Sequence, residues 1–359
     1  CGKRDPGFVS YNIGIFICEV CAIIHGKLGV SVSKVKQLGI DIFEQSQIDR
    51  LSQVGNIKAK AKYEEFVPNC YRIPNFKDNS ILIEQWIRAK YLQQKFVCKN
   101  SWSNNAHFCF TGQISGFLLK LDKTRNRYKS RLFVLDESKN SLTYYVHEDK
   151  MPKAVMKLTD LSVSFGPQKL MPKQNAMQLT HFNENAKFVH YFLCHESAEI
   201  IVNWYNEIRC SKFQCLKKQF PDVFENDLLR CLPKDFIKEG WLWKTGPRVT
   251  DRFRKRWFTL DQRILIYHDN PLDTIPKGYV FIGQASDRYR VCSGALLRIR
   301  DQGFTFTLET PSRIYNFSAE REIERSEWIN VIGDIINTPL TAYDYAILKR
   351  IQSRKSKKL

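Results

Sequence analysis

Basic side chains recur at matching places in two stretches of this sequence, in an arrangement suited to holding phosphate groups. Each stretch has a lysine, then a basic-x-arginine pair after eight or nine further residues, and then a tyrosine. The candidate phosphate-binding cations are Lys120, Lys129 and Arg131 in the first stretch, with Tyr144 downstream, and Lys244, Arg254 and Arg256 in the second, with Tyr267 downstream. Residues two apart on a β-strand point to one face, so each basic-x-arginine pair converges. Such cations at one sheet rim can grip two adjacent phosphates, because arginine offers a planar fork and lysine a point charge.

The alternative for any single lysine-x-arginine motif is a basic hairpin that is merely solvated. The two motifs here belong to an internal repeat, because residues 116–120 (GFLLK) return as residues 240–244 (GWLWK), a displacement of 124. Two copies in equivalent positions favour a site for a lipid headgroup or an inositol phosphate in at least one of them.

Three cysteines near the start of the chain have the spacing of zinc ligands. Sixteen residues separate Cys1 from Cys18, and two separate Cys18 from Cys21. These are the last three of the four cysteines in a C-x2-C-x16-C-x2-C zinc ribbon, in which two thiols at C-x-x-C spacing bind one metal ion. We expect an incomplete zinc site whose first cysteine would precede Cys1. On spacing alone, buried free cysteines are an equal alternative.

The composition of the chain favours a polyanionic partner. Its 359 residues carry a formal net charge of +19, which suits nucleic acid, an anionic membrane leaflet or an acidic protein. The 11 cysteines are an odd number, and no secretory signal opens the sequence, so we expect reduced thiols and a cytoplasmic protein. The longest apolar run, residues 13–24, is interrupted by Glu19 and is too short to span a bilayer.

Each repeat unit predicts a small sheet closed by one helix. Short aromatic and β-branched segments predict strands, the third of them over 142–146 and 264–267. Apolar residues at four-residue spacing around Trp204 and Trp328, which are again 124 residues apart, predict the helix. We therefore expect a strongly bent sheet whose open end is closed by the helix. Both tryptophans are expected in its core.

The rest of the chain divides around this repeat. Helices are predicted over 45–63 and 81–91, in a separate N-terminal part. The predicted domains are a zinc module over 1–96, repeat units over 112–212 and 236–337, and a basic C-terminal tail over 338–359. We expect a polar linker over 95–112 and a mobile segment from Lys349 onwards.

The repeat unit resembles the pleckstrin-homology (PH) domain. That family's inositol-phosphate signature has a basic residue ending the first strand, a basic-x-arginine pair opening the second and a tyrosine in the third, and both copies fill it. The resemblance implies two β-barrels, each capped by a C-terminal helix. It implies binding to phosphatidylinositol trisphosphate or bisphosphate, or to inositol polyphosphates, at a membrane surface.

The N-terminal part resembles the zinc-finger core of Arf GTPase-activating (Arf GAP) domains. Residues 18–30 (CEVCAIIHGKLGV) and 85–91 (QWIRAKY) carry this resemblance. The order of a zinc module and two PH domains is similar to the centaurin-alpha family of Arf GAPs with dual PH domains, as are residues 153–157 (KAVMK) and 244–247 (KTGP). The resemblance implies a multidomain α+β fold, a structural zinc ion, an Arf-type small GTPase as partner and recruitment to the plasma membrane.

One departure from the family pattern bears on activity. Gly26 follows His25 where the family has the arginine finger, and losing such a finger removes about 10³–10⁵ in rate from GTPases. We therefore expect a phosphoinositide-recruited regulator with weak or absent GAP activity, not an enzyme in its own right. The first alternative is an active Arf GAP in which Lys27 or another residue replaces the finger, although lysine lacks the planar fork. The second is a zinc protein that binds nucleic acid, which is disfavoured because the basic residues cluster at β-hairpins.

Overall fold

The computed structural model describes residues 1–97, 111–122, 127–147, 150–165, 170–171, 173–248, 251–294 and 303–356, and every structural statement below concerns them. Most of the predicted linker, 98–110, lies outside the described residues. The chain divides into two compact units, one of residues 1–114 with 195–210 and one of residues 115–194 with 211–359. In the described ranges, no helix combines the length and the apolar character needed to cross a bilayer.

The N-terminal unit is built on a small antiparallel sheet with the strand order β2-β1-β3. Its elements are β1 (Phe8–Ser10), β2 (Ile15–Ile17), α1 (Glu19–Lys27), β3 (Val35–Gln37), α2 (Gln45–Tyr63), α3 (Ser80–Ile87) and a π-helical turn (Arg88–Leu92). Its core joins the β1–β2 hairpin to α1 and α3 through Ile13, Ile15, Ile17, Ala22, Ile24, Leu28, Ile83 and Ile87. Since Cys18 lies between β2 and α1, this packing holds the backbone that carries its thiol.

Both helices predicted for this unit are confirmed. The first is α2, which is interrupted at Gly55, where φ is 62° and ψ is 175°. A positive φ at this point suits glycine because it has no Cβ to clash with the neighbouring carbonyl. The second is α3 together with the π-helical turn that continues it to Leu92.

The second unit contains two seven-stranded sheets of one topology. The first has β4 (Gln113–Asp122), β5 (Arg127–Asp136), β6 (Ser141–Tyr145), β7 (Ala154–Lys157), β8 (Leu161–Ser164), β9 (Ala176–Phe182) and β10 (Phe188–Cys194), in the order β7-β6-β5-β4-β10-β9-β8. The second has β11 (Lys238–Lys244), β12 (Arg254–Asp261), β13 (Ile264–His268), β14 (Gly278–Phe281), β15 (Arg290–Ser293), β16 (Phe304–Thr310) and β17 (Arg313–Ala319), in the order β14-β13-β12-β11-β17-β16-β15. The tandem repeat predicted from the sequence is therefore confirmed.

A helix follows each sheet, as the sequence predicts. These are α4 (Ala198–Gln219) and α6 (Glu322–Ile336), while the short α5 (Glu225–Arg230) lies in the connection between the two copies. Trp328 of α6 packs with Leu242, Phe258 and Phe317 in the core of the second copy. Both Trp204 and Trp328 are buried, so the expectation that they are core residues is confirmed.

The prediction of a mobile C-terminal segment is wrong as far as residue 356. Residues 342–356 form the helix α7 (Ala342–Ser356), which packs within the second unit. The hydroxyl of Tyr343 donates to the carbonyl of Thr159 at 2.8 Å, and Arg350 forms an ion pair with Asp160 at 2.5 Å. Few aliphatic residues of α7 join the core; they are Ile347, Leu348 and Ile351. Because most of the other residues in this segment are polar or basic, the sequence pattern did not predict a helix there.

Candidate functional sites

The basic residues predicted in the second repeat meet at the loop end of the β11–β12 hairpin. Lys244, the last residue of β11, pairs in register with Arg254, the first residue of β12, and Arg256 lies opposite Leu242. The Nζ atom of Lys244 lies 4.8 Å from the centroid of the Tyr267 ring on β13. Lys244 is buried whereas Arg254 is exposed, so the four residues run from the interior of the site to its rim.

The electrostatics of this second site disfavour the protonated form of Lys244. Burial, and after it the positive charges of Arg313 and Arg256, lower the pKa of Lys244 to about 8. Arg256 is held by an ion pair with Asp269 at 3.0 Å, and Asp269 also pairs with Lys277 at 2.8 Å. A polyanion entering here would offset the repulsion among the cations and compete with Asp269 for Arg256.

The first repeat places Lys120 in an equivalent setting. Its Nζ atom lies 5.5 Å from the ring centroids of both Tyr144 and Tyr191. Burial lowers the pKa of Lys120 as well. Each copy therefore holds a lysine against a tyrosine ring, half-buried in the first copy and buried in the second, where the cation–π contact offsets only part of the lost hydration.

Both members of the basic-x-arginine pair in the first repeat already bond to nearby protein groups. Lys129 on β5 forms an ion pair with Asp122 on the neighbouring strand β4 at 2.5 Å. The Nη1 atom of Arg131 donates to the carbonyl of Ser130 at 2.7 Å. Both side chains would have to exchange these partners to meet a phosphate, so the first site is partly neutralised from within.

The three predicted zinc ligands lie together in the N-terminal unit. The Sγ atoms of Cys1, Cys18 and Cys21 are all within 4.8 Å of one another, and those of Cys1 and Cys18 are 3.5 Å apart. Tetrahedral zinc with Zn–S bonds of about 2.3 Å needs sulfurs roughly 3.8 Å apart, so the spacing fits. Within the described part of the chain this cluster has three members. Burial raises the pKa of Cys21 to about 11, a cost that a bound cation would offset.

Gly26 lies in the last turn of α1 and is open to solvent. A Cβ atom added at this position would meet nothing within 4 Å. The preceding His25 points inward, with its Nδ1 atom 2.9 Å from the hydroxyl of Ser33, and burial lowers its pKa to about 4. The side chain of the following Lys27 is 59% exposed and lies 3.9 Å from the carboxylate of Glu84. The surface at Gly26 thus has room for a long side chain and carries none.

Comparisons with known proteins match each of the three parts of the chain that carry these candidate sites. Residues 1–100 match the family described as a putative GTPase activating protein for Arf, and residues 112–212 and 236–337 each match the PH domain. The rat Arf-GAP with dual PH domain-containing protein 2 is 35% identical over 346 residues, which cover 95% of this chain and 90% of that protein. The chain belongs to the family of Arf GAPs with dual PH domains. The human protein of the same name is 34% identical over 95% of this chain and 89% of its own length.

A further relative matches only the N-terminal part of this dual-PH Arf GAP family member. The mouse stromal membrane-associated protein 1 is 39% identical over 101 residues, which are 28% of this chain and 22% of that protein. The predicted family and the predicted multidomain α+β architecture are both confirmed by the family matches.

Sequence reasoning missed several residues that surround the two PH sites of this Arf GAP family member. They are the acids Asp122 and Asp269, the tyrosines Tyr191 and Tyr315 at equivalent positions of the two copies, and Arg313. One signal was available, because Tyr191 and Tyr315 are separated by the same 124 residues as the rest of the repeat. The acids gave no such signal, since their pairing depends on how the hairpins fold.

Proposed function

We propose that this dual-PH Arf GAP family member is a peripheral membrane regulator, recruited from the cytoplasm to the plasma membrane by phosphoinositides. The observation that carries the proposal is a lysine held against a tyrosine ring in each PH domain, namely Lys120, which is half-buried, and Lys244, which is buried. Removing an ammonium group from water is costly unless an opposite charge meets it. A phosphorylated inositol ring supplies that charge, and the neighbouring arginines supply further donors for it.

The ligands in this proposal are phosphatidylinositol trisphosphate or bisphosphate, or soluble inositol polyphosphates. Lys120, Lys129, Arg131 and Tyr144 line the first site, and Lys244, Arg254, Arg256 and Tyr267 line the second. The net charge of +19 adds diffuse attraction to an anionic leaflet, worth about 1 kcal/mol for each basic residue near the surface. Two sites on one chain also raise the effective concentration of the second lipid once the first is bound.

The N-terminal module, in this proposal, binds an Arf-type small GTPase without strongly stimulating it. Gly26 offers no cation at the arginine-finger position, and the adjacent Lys27 lies beside Glu84. Cys1, Cys18 and Cys21 would hold a zinc ion whose contribution is structural, because a thiolate-bound zinc cross-links the loop and the start of α1. Activity as a working GAP is the second candidate, and the side chain of Lys27, which is 59% exposed, is the feature that favours it.

Competition between two polyanions tests the membrane proposal. The full chain is mixed with vesicles containing phosphatidylinositol trisphosphate, sedimented at fixed salt, and challenged with an excess of duplex DNA. We expect the protein to remain with the vesicles, and to be released by soluble inositol tetrakisphosphate. Release by DNA with equal efficiency would favour the nucleic-acid-binding alternative, since diffuse charge would then explain the binding.

A further inference from the structure

We propose that Arg313 is a fourth cation of the second PH site, and that this domain takes a more highly phosphorylated inositol headgroup than the first domain. This inference rests on the proposed function, because it names the ligand class of the same site. It follows from a half-buried arginine with one buried guanidinium nitrogen, from the charges around it and from a difference between the two copies of the repeat.

The backbone brings Arg313 to the mouth of the second site. Strands β11 and β17 are paired, with Lys244 opposite Phe317, and the amide of Thr245 donates to the carbonyl of Asn316 at 3.3 Å. Arg313 begins β17 and so lies beside the loop that follows Lys244.

The side chain of Arg313 is held in orientation by a neighbouring ring but, in the described part of the chain, leaves one hydrogen-bond donor without an acceptor. Its guanidinium carbon lies 4.5 Å from the centroid of the Tyr315 ring, a stacking contact that fixes the plane of the group. Its Nη2 atom is buried and, among the described residues, has no hydrogen-bond partner. A buried donor without a partner is unfavourable, so an acceptor supplied by a ligand would relieve it.

Charge interactions connect Arg313 to the rest of the site. After burial, Arg313 is the largest cause of the lowered pKa of Lys244, ahead of Arg256, while Asp251 acts in the opposite direction. Three cations therefore act on one another at the end of this hairpin. An added phosphate near them would be attracted by all three, and its negative charge would raise the pKa of Lys244 again.

The first PH domain has no cation at the position equivalent to Arg313. Tyr191 is the counterpart of Tyr315, and two residues before it stands Val189, where the second domain has Arg313. Asp122 pairs with Lys129 in the first domain, whereas the position 124 residues further on is Gly246. Among the described residues, the first site thus has no cation at the position of Arg313, and its Lys129 pairs with an acid that Gly246 replaces in the second domain.

Calorimetric titration of the full chain tests the inference, with Arg131→Ala present throughout to weaken the first site. The ligands are inositol 1,3,4,5-tetrakisphosphate and inositol 1,4,5-trisphosphate. Arg313→Gln should weaken binding of the tetrakisphosphate by at least about tenfold, as expected for a lost charged hydrogen bond. It should weaken binding of the trisphosphate by less than about fivefold, the effect of one exposed charge pair. The control is Arg290→Gln, which removes an exposed arginine of β15 in the same domain.

Proton uptake gives a readout that a purely structural role of Arg313 would not alter. At pH 8.5, binding of the tetrakisphosphate should draw protons onto Lys244, and this appears as a dependence of the binding enthalpy on the buffer. Arg313→Gln should reduce the uptake, because losing the Arg313 charge raises the pKa of Lys244 and leaves a larger fraction of it protonated in the free protein. The difference between variants is the relevant quantity, since the ligand phosphates also exchange protons.

The outcomes separate this inference from the function on which it rests. Equal affinity of the Arg313→Gln and Arg290→Gln proteins, or equal losses for both ligands, would overturn it. A separate comparison of single variants could also overturn it. If tetrakisphosphate binding survives Arg256→Ala alone and is lost with Arg131→Ala alone, the first domain is the tighter site. Failure of the unsubstituted chain to bind either headgroup would instead refute phosphoinositide recognition itself.

Discussion

The imidazole rings of His190 and His268 face each other across the two PH domains, with their centroids 4.8 Å apart. His190 lies on β10 and is completely buried, and its Nδ1 atom is 2.9 Å from both Nε2 of Gln178 and the hydroxyl of Thr180. Burial, and then the charge of His268, lower the pKa of His190 well below 6.5. The junction of the two domains therefore requires a neutral imidazole.

Acidification should destabilise the unit that contains both PH domains. Below pH 6.5 the unfolded chain binds a proton at His190 that the folded chain excludes, so the free energy of unfolding falls with falling pH. One such group contributes up to about 1.4 kcal/mol per pH unit. Urea denaturation at pH 7.5 and pH 5.5 measures the loss, which should be smaller in His190→Gln and unchanged in the exposed control His147→Gln. Identical pH dependence in all three proteins would contradict this account.

Helix α7 should hold the two PH domains together through one hydroxyl group. Tyr343 donates to the carbonyl of Thr159 and accepts from Nζ of Lys212, which is 2% exposed. Tyr343→Phe removes both bonds and should lower the free energy of unfolding by about 2–4 kcal/mol, because bonds to buried charges are costly to lose. The matched control is Tyr345→Phe on the same helix, whose side chain is 53% exposed and whose loss should have little effect. Equal stability of the two variants in urea would show that α7 contributes nothing through Tyr343.

Much of the fold follows from the sequence, since the period of 124 residues, the alternating strands and the helical spacing around Trp204 and Trp328 are all local signals. The basic residues at the hairpins were predictable for the same reason. What the sequence does not reveal are the ion-pair partners that neighbouring strands and loops supply, such as Asp269 for Arg256, and the position of Arg313 beside Lys244. The first contact depends on the register of β12 with β13, the second on the pairing of β11 with β17, and no periodicity specifies either.

Restoring an arginine at position 26 should restore GTPase stimulation in part. Gly26 is exposed and the space around its Cβ position is open, so Gly26→Arg fits without displacing a neighbour. We expect a single-turnover assay with an Arf-type GTPase to show little stimulation by the unsubstituted chain. The variant should gain about tenfold or more, short of the 10³–10⁵ of a complete finger. Gly26→Ala controls for the higher helix propensity of the substituted residue. Strong stimulation by the unsubstituted chain at substoichiometric amounts would contradict the proposal.

Zinc should stabilise the N-terminal unit through the thiol cluster. Metal analysis of the protein should find zinc, and its removal by a chelator should lower the melting temperature, because metal binding contributes to folding free energy. Cys21→Ser should lose the metal, since it removes one of the three clustered thiols. Cys292→Ser, which changes a free cysteine outside the cluster, should retain it. Zinc retained by Cys21→Ser would show that other residues hold the metal.

Membrane binding by the two PH domains is the central claim, and co-sedimentation with vesicles containing phosphatidylinositol trisphosphate tests it most directly. At fixed salt, Arg131→Ala and Arg256→Ala should each weaken binding by more than the roughly 1 kcal/mol of a diffuse surface charge. A phosphate-bonded arginine is worth about 1.5–3 kcal/mol. The double variant should lose most of its association while each single variant keeps part of it, because the two sites act together. If the double variant sediments as well as the unsubstituted chain, the basic hairpins are solvated surfaces and the account is wrong.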